Sequence, residues 1–282
     1  MSYFRTPPVV VGYDASPTAQ AALMMAAGEA ARRNLHLMVV YAQEAADVVK
    51  DRTAHDPLLD ALHRVSPIVG RDRVTMRDRL GPAAKVLCEL AKGAELLVVG
   101  RGDVGLLGWF AGSVAIDVLC GAPCPVLIVG DPAPHVPHPG PVIAGVDDEH
   151  ADAVLDAAFR EADLRRSELV VLHTRNSAHW LGPDGIESLA AEDDAQREEQ
   201  MHWLRDLVEP YQRKYPRVQV TEAPREGRAA SVLLDASAGA GLIVVGSRGR
   251  GPVKGLVLGS VGQTLLRQAL CPVLIVKGTQ QI

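Results

Sequence analysis

Short apolar runs alternate with helical stretches along the whole chain. Leu96–Val99 and Leu242–Val245 each hold four consecutive valine, leucine or isoleucine residues. Runs of this length without polar alternation are typical of strands buried on both faces of a parallel sheet. The alanine-rich stretch 19–33 has strong helix propensity instead, and Ser16 and Pro17 before it suit the start of a helix. The chain is therefore predicted to alternate strands with helices.

The first half of the chain carries five such runs with helical stretches between them. The strands are predicted at residues 9–13, 37–41, 73–77, 96–99 and 126–129. The helices are predicted at residues 16–33, 58–62, 82–92 and 113–119. Parallel strands joined by helices form a doubly wound α/β domain, which binds ligands where its strands end. We therefore expect an α/β fold with its functional residues in the loops that follow the strands.

The second half of the chain repeats the first. Val9–Asp14 recurs as Val142–Asp147, and Cys124–Val129 recurs as Cys271–Val276. The distance between corresponding residues grows from 133 to 147 along the repeat, which places an insertion between the second and third strands of the second copy. Because the order of the repeated segments is preserved, the sequence predicts two tandem doubly wound domains, each with a five-stranded parallel sheet.

A proline-rich segment separates the two copies. Residues 131–141 contain five prolines, which favour an extended spacer. We therefore assign residues 1–130 to the first domain, 131–141 to the linker and 142–282 to the second domain. His135 and His138 lie in this spacer without the further ligands that a metal site needs, so no metal is expected.

The composition narrows the classes of partner. The 282 residues are 48% hydrophobic and 22% charged, an ordinary globular balance that excludes a disordered or fibrous chain. A formal net charge of -5 and 4% aromatic residues indicate neither a basic stripe nor a stacking platform, so no nucleic-acid partner is expected. No apolar run approaches the about 18 residues of a membrane helix, and the N-terminus lacks the apolar core of a signal peptide. We expect a cytoplasmic protein without membrane contact.

The cysteines give little chemical signal. Cys88, Cys120, Cys124 and Cys271 form no Cys-x-x-Cys pair. They are expected to be buried reduced thiols, and the alternative is that Cys120 and Cys124 form half of a metal or redox site.

A glycine-rich loop follows the fourth strand of the second copy, in the pattern Gly-x2-Gly-x9-Gly-Ser. Glycines let backbone N–H groups approach an anion, and the N-terminus of the next helix adds positive partial charge. Arginine side chains in the loop supply countercharge, and Ser260 is predicted to cap the helix. The loop residues that suit an anion site are Gly246, Ser247, Arg248, Gly249, Arg250, Gly259 and Ser260.

Better-known nucleotide motifs do not fit the chain. A P-loop ends in Gly-Lys-Ser/Thr, whereas Lys254 is followed by glycine and leucine, and no Gly-x-Gly-x-x-Gly follows a first strand. Asp147 ends the first strand of the second copy, where a carboxylate can accept hydrogen bonds from ribose or, as the alternative, cap a helix. His173 is expected to be a packed residue, and no arrangement of residues identifies a catalytic site.

Taken together, these motifs resemble the universal stress protein family in its tandem form. The resemblance rests on the glycine loop, the opening strand Val142–Asp147 and the closing strand Cys271–Val276, and it covers both copies. It implies a strand order of 3-2-1-4-5 in each domain, with ATP, with or without Mg²⁺, bound across strands one and four. It also implies that last strands pair, within the chain as a pseudo-dimer or between chains in a homodimer.

The resemblance assigns roles to residues of the second copy. Asp147 would face the ribose, the backbone of Thr174 would hold the adenine, Val245 would line the base pocket, and Gly145 would permit close approach of the ligand. The residues implied to hold ribose and phosphates are Gly246, Gly249, Gly259, Ser260 and the amide of Val261.

The first copy departs from the pattern. Its loop lacks the counterpart of Ser247, and Asp103 stands where the second copy has Arg250, so a negative charge replaces a positive one. The corresponding residues of this weaker candidate site are Gly12, Asp14, Ala42, Val99, Gly100, Arg101, Gly102, Gly112, Ser113 and Val114.

Three functions remain open on the sequence. The family resemblance implies a nucleotide-dependent regulator in the stress response, which needs no turnover. An enzyme using the same pocket, such as a slow ATPase or nucleotidyl transferase, would have only Asp103 or Asp148 as a base near the phosphates. A scaffold that binds no nucleotide is the third.

Overall fold

The computed structural model describes residues 6–43, 56–102, 113–130, 140–147, 151–175, 186–247 and 258–277. The elements of the first half are β1 (Val9–Gly12), α1 (Pro17–Arg33), β2 (Leu37–Gln43), α2 (Pro57–Val69), β3 (Val74–Leu80), α3 (Ala83–Leu90), β4 (Leu96–Gly100), α4 (Ser113–Gly121) and β5 (Val126–Val129). Those of the second half are β6 (Val142–Val146), α5 (Ala151–Arg165), β7 (Leu169–Arg175), α6 (Ile186–Lys214), β8 (Val220–Glu226), α7 (Ala229–Ala236), β9 (Leu242–Gly246), α8 (Ser260–Gln268) and β10 (Val273–Val276). Each strand and helix predicted for the first half is present, although β2 and β3 extend beyond their predicted ends.

The ten strands form one sheet in the order β3-β2-β1-β4-β5-β10-β9-β6-β7-β8. Within each half the order is 3-2-1-4-5 and the strands are parallel, so the predicted α/β class is confirmed. The halves are joined where β5 pairs antiparallel with β10, with Val126 opposite Ile275 and Ile128 opposite Val273. Because of this pairing, the strands of the two halves end at opposite edges of the sheet.

The helices bury both faces of the sheet. On one face, α1, α2, α5 and α6 enclose a core that includes Leu23 of the first half and Phe159 of the second. On the other face, α3, α4, α7 and α8 enclose a core that includes Val118 and Leu265. Each core therefore continues across the boundary between the halves, and apolar burial holds the two halves together.

Capping residues fix the ends of α1. The Ser16 hydroxyl accepts a hydrogen bond from the Ala19 N–H at 3.2 Å, as the sequence predicts for this helix start. The helix ends at Asn34, whose φ of 54° is left-handed, a conformation that asparagine tolerates. At the corresponding end of α5, Arg166 has a φ of 53°, which is strained for a residue of this type.

A buried ion cluster joins α1 to α5 across the boundary. It consists of Glu29 and Arg33 on α1 and Glu161 and Arg165 on α5, with both carboxylates buried. Each glutamate pairs with the arginine of its own helix, and the pairs cross: Arg33 also pairs with Glu161, and Arg165 Nη2 lies 2.6 Å from Glu29 Oε1. The four charges thus neutralise one another across the boundary, while Arg32 adds a fifth group beside Glu29.

The insertion of the second copy forms the long helix α6, between β7 and β8. Its 29 residues stand where α2 has 13. Leu204 and Val208 are buried, and Tyr211 stacks on Phe159 with ring centroids 5.5 Å apart. The long helix thus packs an apolar side on the face of the sheet, as an amphipathic helix does.

Some expected absences can be examined in the described part of the chain. No helix within those ranges is long and apolar enough to cross a bilayer. No group of three or more His, Cys, Asp or Glu residues among the described positions is arranged to hold a metal. All four cysteines are unpaired thiols; Cys124 and Cys271 are buried, whereas Cys120 is exposed, which differs from the expectation that all are buried.

Candidate functional site

The glycine loop of the second half is anchored at both of its ends. The Ser247 N–H donates to the Val276 carbonyl at 2.8 Å, and the Gly259 N–H donates to the Ser247 carbonyl at 3.3 Å. The end of β9 and the start of α8 are therefore adjacent. Arg248, Gly249 and Arg250, predicted to serve this loop, lie outside the described residues.

The N-terminus of α8 differs by one position from the prediction. Gly259 is the N-cap, with φ -65° and ψ 166°, and Ser260 is the first helical residue. The predicted capping role of Ser260 is therefore wrong, because a cap side chain must come from the residue before the helix. Gly259 has no side chain to cover the first-turn amides, which include that of Val261 and have no partner within the helix itself. This end of α8 presents positive partial charge next to the loop.

The backbone of Thr174 points past the end of β6. In β7, the Glu168 carbonyl accepts from Val142 on the β6 side, whereas the Arg175 carbonyl accepts from Gly227 on the β8 side. Since successive residues of a strand direct their backbone groups to opposite neighbours, Thr174 directs its own toward β6. The β6 ladder stops at Val146, which is opposite His173. The polar backbone of Thr174 therefore borders the space above the β6 terminus.

Gly145 serves helix packing in this structure. A Cβ at this position would lie 2.8 Å from Leu233 Cδ1 on α7 and 3.1 Å from Val245 Cγ1. The glycine therefore permits the close approach of α7, and its predicted role toward a ligand stays a prediction. Val245 is itself buried in the core beneath the strand ends.

His173 is enclosed by α6. Its Nδ1 atom lies 2.6 Å from Gln200 Nε2, and its ring centroid is 4.7 Å from that of Trp203. Burial lowers the pKa of His173, and the negative charge of Asp147 opposes that shift. The packed role predicted for His173 fits these contacts. Sequence reasoning did not identify Gln200 and Trp203, because their contact with His173 depends on how α6 packs on the sheet, which no local pattern specifies.

The first half has the same strand-end geometry. The Tyr13 N–H donates to the Val40 carbonyl at 2.9 Å, so Ala42, two residues later, directs its backbone past the end of β1. Asp14 Oδ1 accepts a hydrogen bond from the Ser16 N–H at 2.9 Å, so this carboxylate already orders the turn into α1. A Cβ at Gly12 would meet Leu87 Cδ1 at 3.0 Å, as at Gly145.

Two glycines at the end of β4 are needed for different reasons, one for space and one for backbone conformation. A Cβ on Gly100 would lie 2.9 Å from the Thr18 carbonyl oxygen, so this glycine lets α1 cross the strand end. Gly102 has a φ of 76°, which favours glycine. Val99 is buried, Ser113 begins α4, and Val114 is exposed. Gly112 and Asp103 lie outside the described residues.

Arg101 is directed away from its predicted role. Its backbone N–H donates to the Val129 carbonyl at 2.8 Å, as that of Ser247 does to Val276. Its side chain, however, reaches the second half, where Nη1 donates to the Ala269 carbonyl at 3.0 Å. The structure thus brings the Arg101 guanidinium to the C-terminal end of α8.

The molecule is a pair of doubly wound α/β domains whose sheets are joined through their fifth strands. In each domain, a glycine-containing segment connects the fourth strand to the fourth helix. The model of the universal stress protein family matches residues 6–130 and 140–277, and the chain belongs to this family.

Relatives over the full length support this assignment. The universal stress protein Rv2623 of Mycobacterium tuberculosis is 34% identical over 95% of this chain and 96% of its own length. A universal stress protein of Mycolicibacterium smegmatis is 30% identical over 95% of this chain and 96% of its own. A universal stress protein structure from Archaeoglobus fulgidus shares the fold, with a TM-score of 0.62 and 16% identity over 97% of this chain and 99% of that one.

Proposed function

We propose that this protein binds ATP, with or without Mg²⁺, in its second half and acts as a nucleotide-dependent regulator in the stress response. The observation that carries the proposal is the start of α8: a helix whose cap is a glycine begins directly beside the loop that leaves β9. Such a helix end binds phosphate through its backbone N–H groups and its positive partial charge.

The rest of the strand-end surface suits a nucleoside. The backbone of Thr174 supplies polar groups beyond β6 that match the hydrogen-bonding edge of a purine. Asp147 follows β6 directly and is only partly exposed, which places a carboxylate within the same region for the ribose hydroxyls. Phosphate, ribose and base thus each have a partner of suitable chemistry along the edge formed by β7, β6 and β9.

The first half is proposed as the weaker site. Its loop carries Asp103 where the second copy has Arg250, and the Arg101 side chain is bound to the other half. Less positive charge is therefore available to a phosphate there. The strand-end backbone at Ala42 is retained, so binding is reduced and not abolished.

Regulation requires no turnover. A ligand that binds one arrangement of the loop and of α8 better than another shifts the population toward that arrangement. A partner that binds the surface of that arrangement then responds to the ligand. His173, whose pKa is influenced by Asp147, is packed under α6, which favours binding over general base catalysis by this residue. An ATPase or nucleotidyl transferase remains the alternative outcome of the test.

The test combines ligand identification with calorimetry. Protein denatured after purification is analysed by mass spectrometry, and nucleotide-free protein is titrated with ATP. We expect Asp147→Asn to weaken the tight site about tenfold or more, because a charge-assisted hydrogen bond is lost. The matched change Asp14→Asn should leave that site unchanged. Equal affinity of wild type and Asp147→Asn, or no ATP binding at millimolar concentration, would refute the proposal, and steady conversion to ADP would favour the enzyme.

A further inference from the structure

We infer that Arg101 and Lys277 are positioning residues, which cap from the opposite half the two helices that open at the candidate nucleotide sites. We call these two contacts the cross-caps. Through the Arg101 cross-cap, the start of the first glycine loop holds the C-terminal end of α8, the helix that begins at the second glycine loop. The capping stands on the contacts alone, whereas the coupling between sites rests on the proposed function.

The two contacts occupy corresponding places. Arg101 Nη1 donates to the Ala269 carbonyl at 3.0 Å, and Lys277 Nζ donates to the Ala122 carbonyl. Ala269 directly follows Gln268, the last residue of α8, and Ala122 directly follows Gly121, the last residue of α4. Both alanines are buried, and their N–H groups bond back to Leu265 and Val118. The same point on each helix is thus contacted by a cation from the other half.

A helix end of this kind gains from a cation. The last carbonyls of a helix have no partner within it and carry negative partial charge. A buried carbonyl also needs a hydrogen-bond donor. Arg101 and Lys277 supply the donor and the positive charge together.

The pairing of β5 with β10 explains why the cations come from the opposite half. Continued beyond the strand ends, its register places Lys277 opposite Cys124 and Gly130 opposite Cys271. The residue after each strand therefore lies near the end of the other half's fourth helix. Beside the end of α4, Lys277 fills this position with its side chain. Beside the end of α8, the residue is Gly130, which has no side chain to do so.

Arg101 occupies the space that Gly130 leaves. A Cβ on Gly130 would lie 2.9 Å from Arg101 Nη2 and 3.0 Å from its Cζ. The loop alignment leaves Ser247 without a counterpart, but in the structure Arg101 takes its place, because the N–H of each donates to the last residue of the fifth strand, Val129 or Val276. Gly130 corresponds to Lys277 in the repeat. Each half thus combines one long cation with one small residue, but at exchanged positions, which indicates a space built to hold one cation.

The Arg101 cross-cap connects the two sites along α8. This helix begins at the second glycine loop, and Arg101 contacts its C-terminal end. Arg101 itself lies in Gly100–Gly102, where the first glycine loop begins. A ligand that contacts Gly100–Gly102 therefore also acts on the C-terminal end of α8. The Arg101 side chain acts on the second site through the helix and does not touch its ligand.

The decisive experiment replaces the residue pair of the first half, Arg101 and Gly130, with the types found in the second half, serine and lysine. Arg101→Ser removes the cation, and the double variant Arg101→Ser/Gly130→Lys rebuilds it with the residue pair of the second half. We expect Arg101→Ser to lower Tm by about 2–4 °C. We expect the ATP dissociation constant of the second site to rise about threefold, measured with Asp14→Asn present in both proteins. The double variant should recover both values.

Three results would overturn the inference. They are an unchanged Tm in Arg101→Ser, a double variant that stays as impaired as the single one, and, in Arg101→Ser with Asp14 intact, loss of nucleotide from the first half with the second unaffected. The last would make Arg101 a phosphate ligand. If the wild type binds no ATP, the proposed function and the coupling fail together, while the thermal comparison without nucleotide still decides the capping.

Discussion

The ion cluster of Glu29, Arg33, Glu161 and Arg165 allows a quantitative prediction. Glu161→Gln removes one buried carboxylate from two largely covered arginines, Arg33 and Arg165, while keeping the shape of the side chain. Breaking a buried ion pair from one side costs about 3–5 kcal/mol, because the remaining charge stays desolvated. For a chain of this size 1 kcal/mol corresponds to about 2–4 °C in Tm, so we expect a decrease of about 6–20 °C.

Arg32 and Arg33 provide a matched comparison. Burial lowers the pKa of Arg32 to about 10, whereas Arg33 contacts both carboxylates of the cluster. The repeat places Leu164 where the first copy has Arg32. Arg32→Leu should therefore change Tm by no more than about 2 °C, because the charge it removes is surplus to a neutral cluster. Arg33→Leu should cost as much as Glu161→Gln.

The dependence on pH gives a second readout of the same cluster. Burial alone would raise the pKa of Glu161, but Arg165 and Arg33 outweigh it, and the pKa is lowered from its ordinary value of 4.5. A carboxylate of this kind stabilises the fold above its unfolded pKa and loses that contribution as pH falls through its folded pKa. The difference in Tm between wild type and Glu161→Gln, measured by calorimetry, should therefore be constant above pH 5 and shrink below about pH 4.5. Equal losses for Arg32→Leu and Arg33→Leu, or a Glu161→Gln protein within about 2 °C of wild type, would refute the reasoning.

Two further predictions concern α5 and the thiols. Arg166→Asn should raise the free energy of unfolding by about 0.5–1 kcal/mol, measured with urea, because asparagine adopts the left-handed φ more readily. The control Asn34→Arg should lower the free energy of unfolding, since it also removes the hydrogen bond from Arg73 Nη1 to Asn34 Oδ1. An aromatic disulfide reagent at pH 8 should label the exposed Cys120 first, because burial raises the pKa of Cys124 to about 11 and that of Cys271 to about 12; labelling of these two before unfolding would contradict this account.

Much of the fold could be predicted from local sequence. Fully apolar runs such as Leu96–Val99 identify buried strands, and the recurrence of Val9–Asp14 as Val142–Asp147 identifies the duplication. The ends of elements were less certain. Ser260 was predicted as an N-cap, but it is the first residue of the helix, and the N-cap is Gly259, which has no side chain to signal that role.

The contacts between the halves were not predictable in the same way. Glu29 and Arg33 recur as Glu161 and Arg165, so the signal of the ion cluster was present in the repeat. Its meaning depends on α1 and α5 sharing one face of a continuous sheet, which no local pattern specifies. Arg101 is a similar case: its position in a glycine loop suggests phosphate, while its direction is set by Gly130 from across the β5–β10 pairing.

That antiparallel pairing also sets the valency of the molecule. Since the strands of the two halves end at opposite edges of one sheet, the candidate nucleotide surfaces open in opposite directions. No single flat surface can therefore cover both candidate sites at once. A partner that cannot reach from one of these edges to the other would gain no effective concentration at the second site from binding at the first.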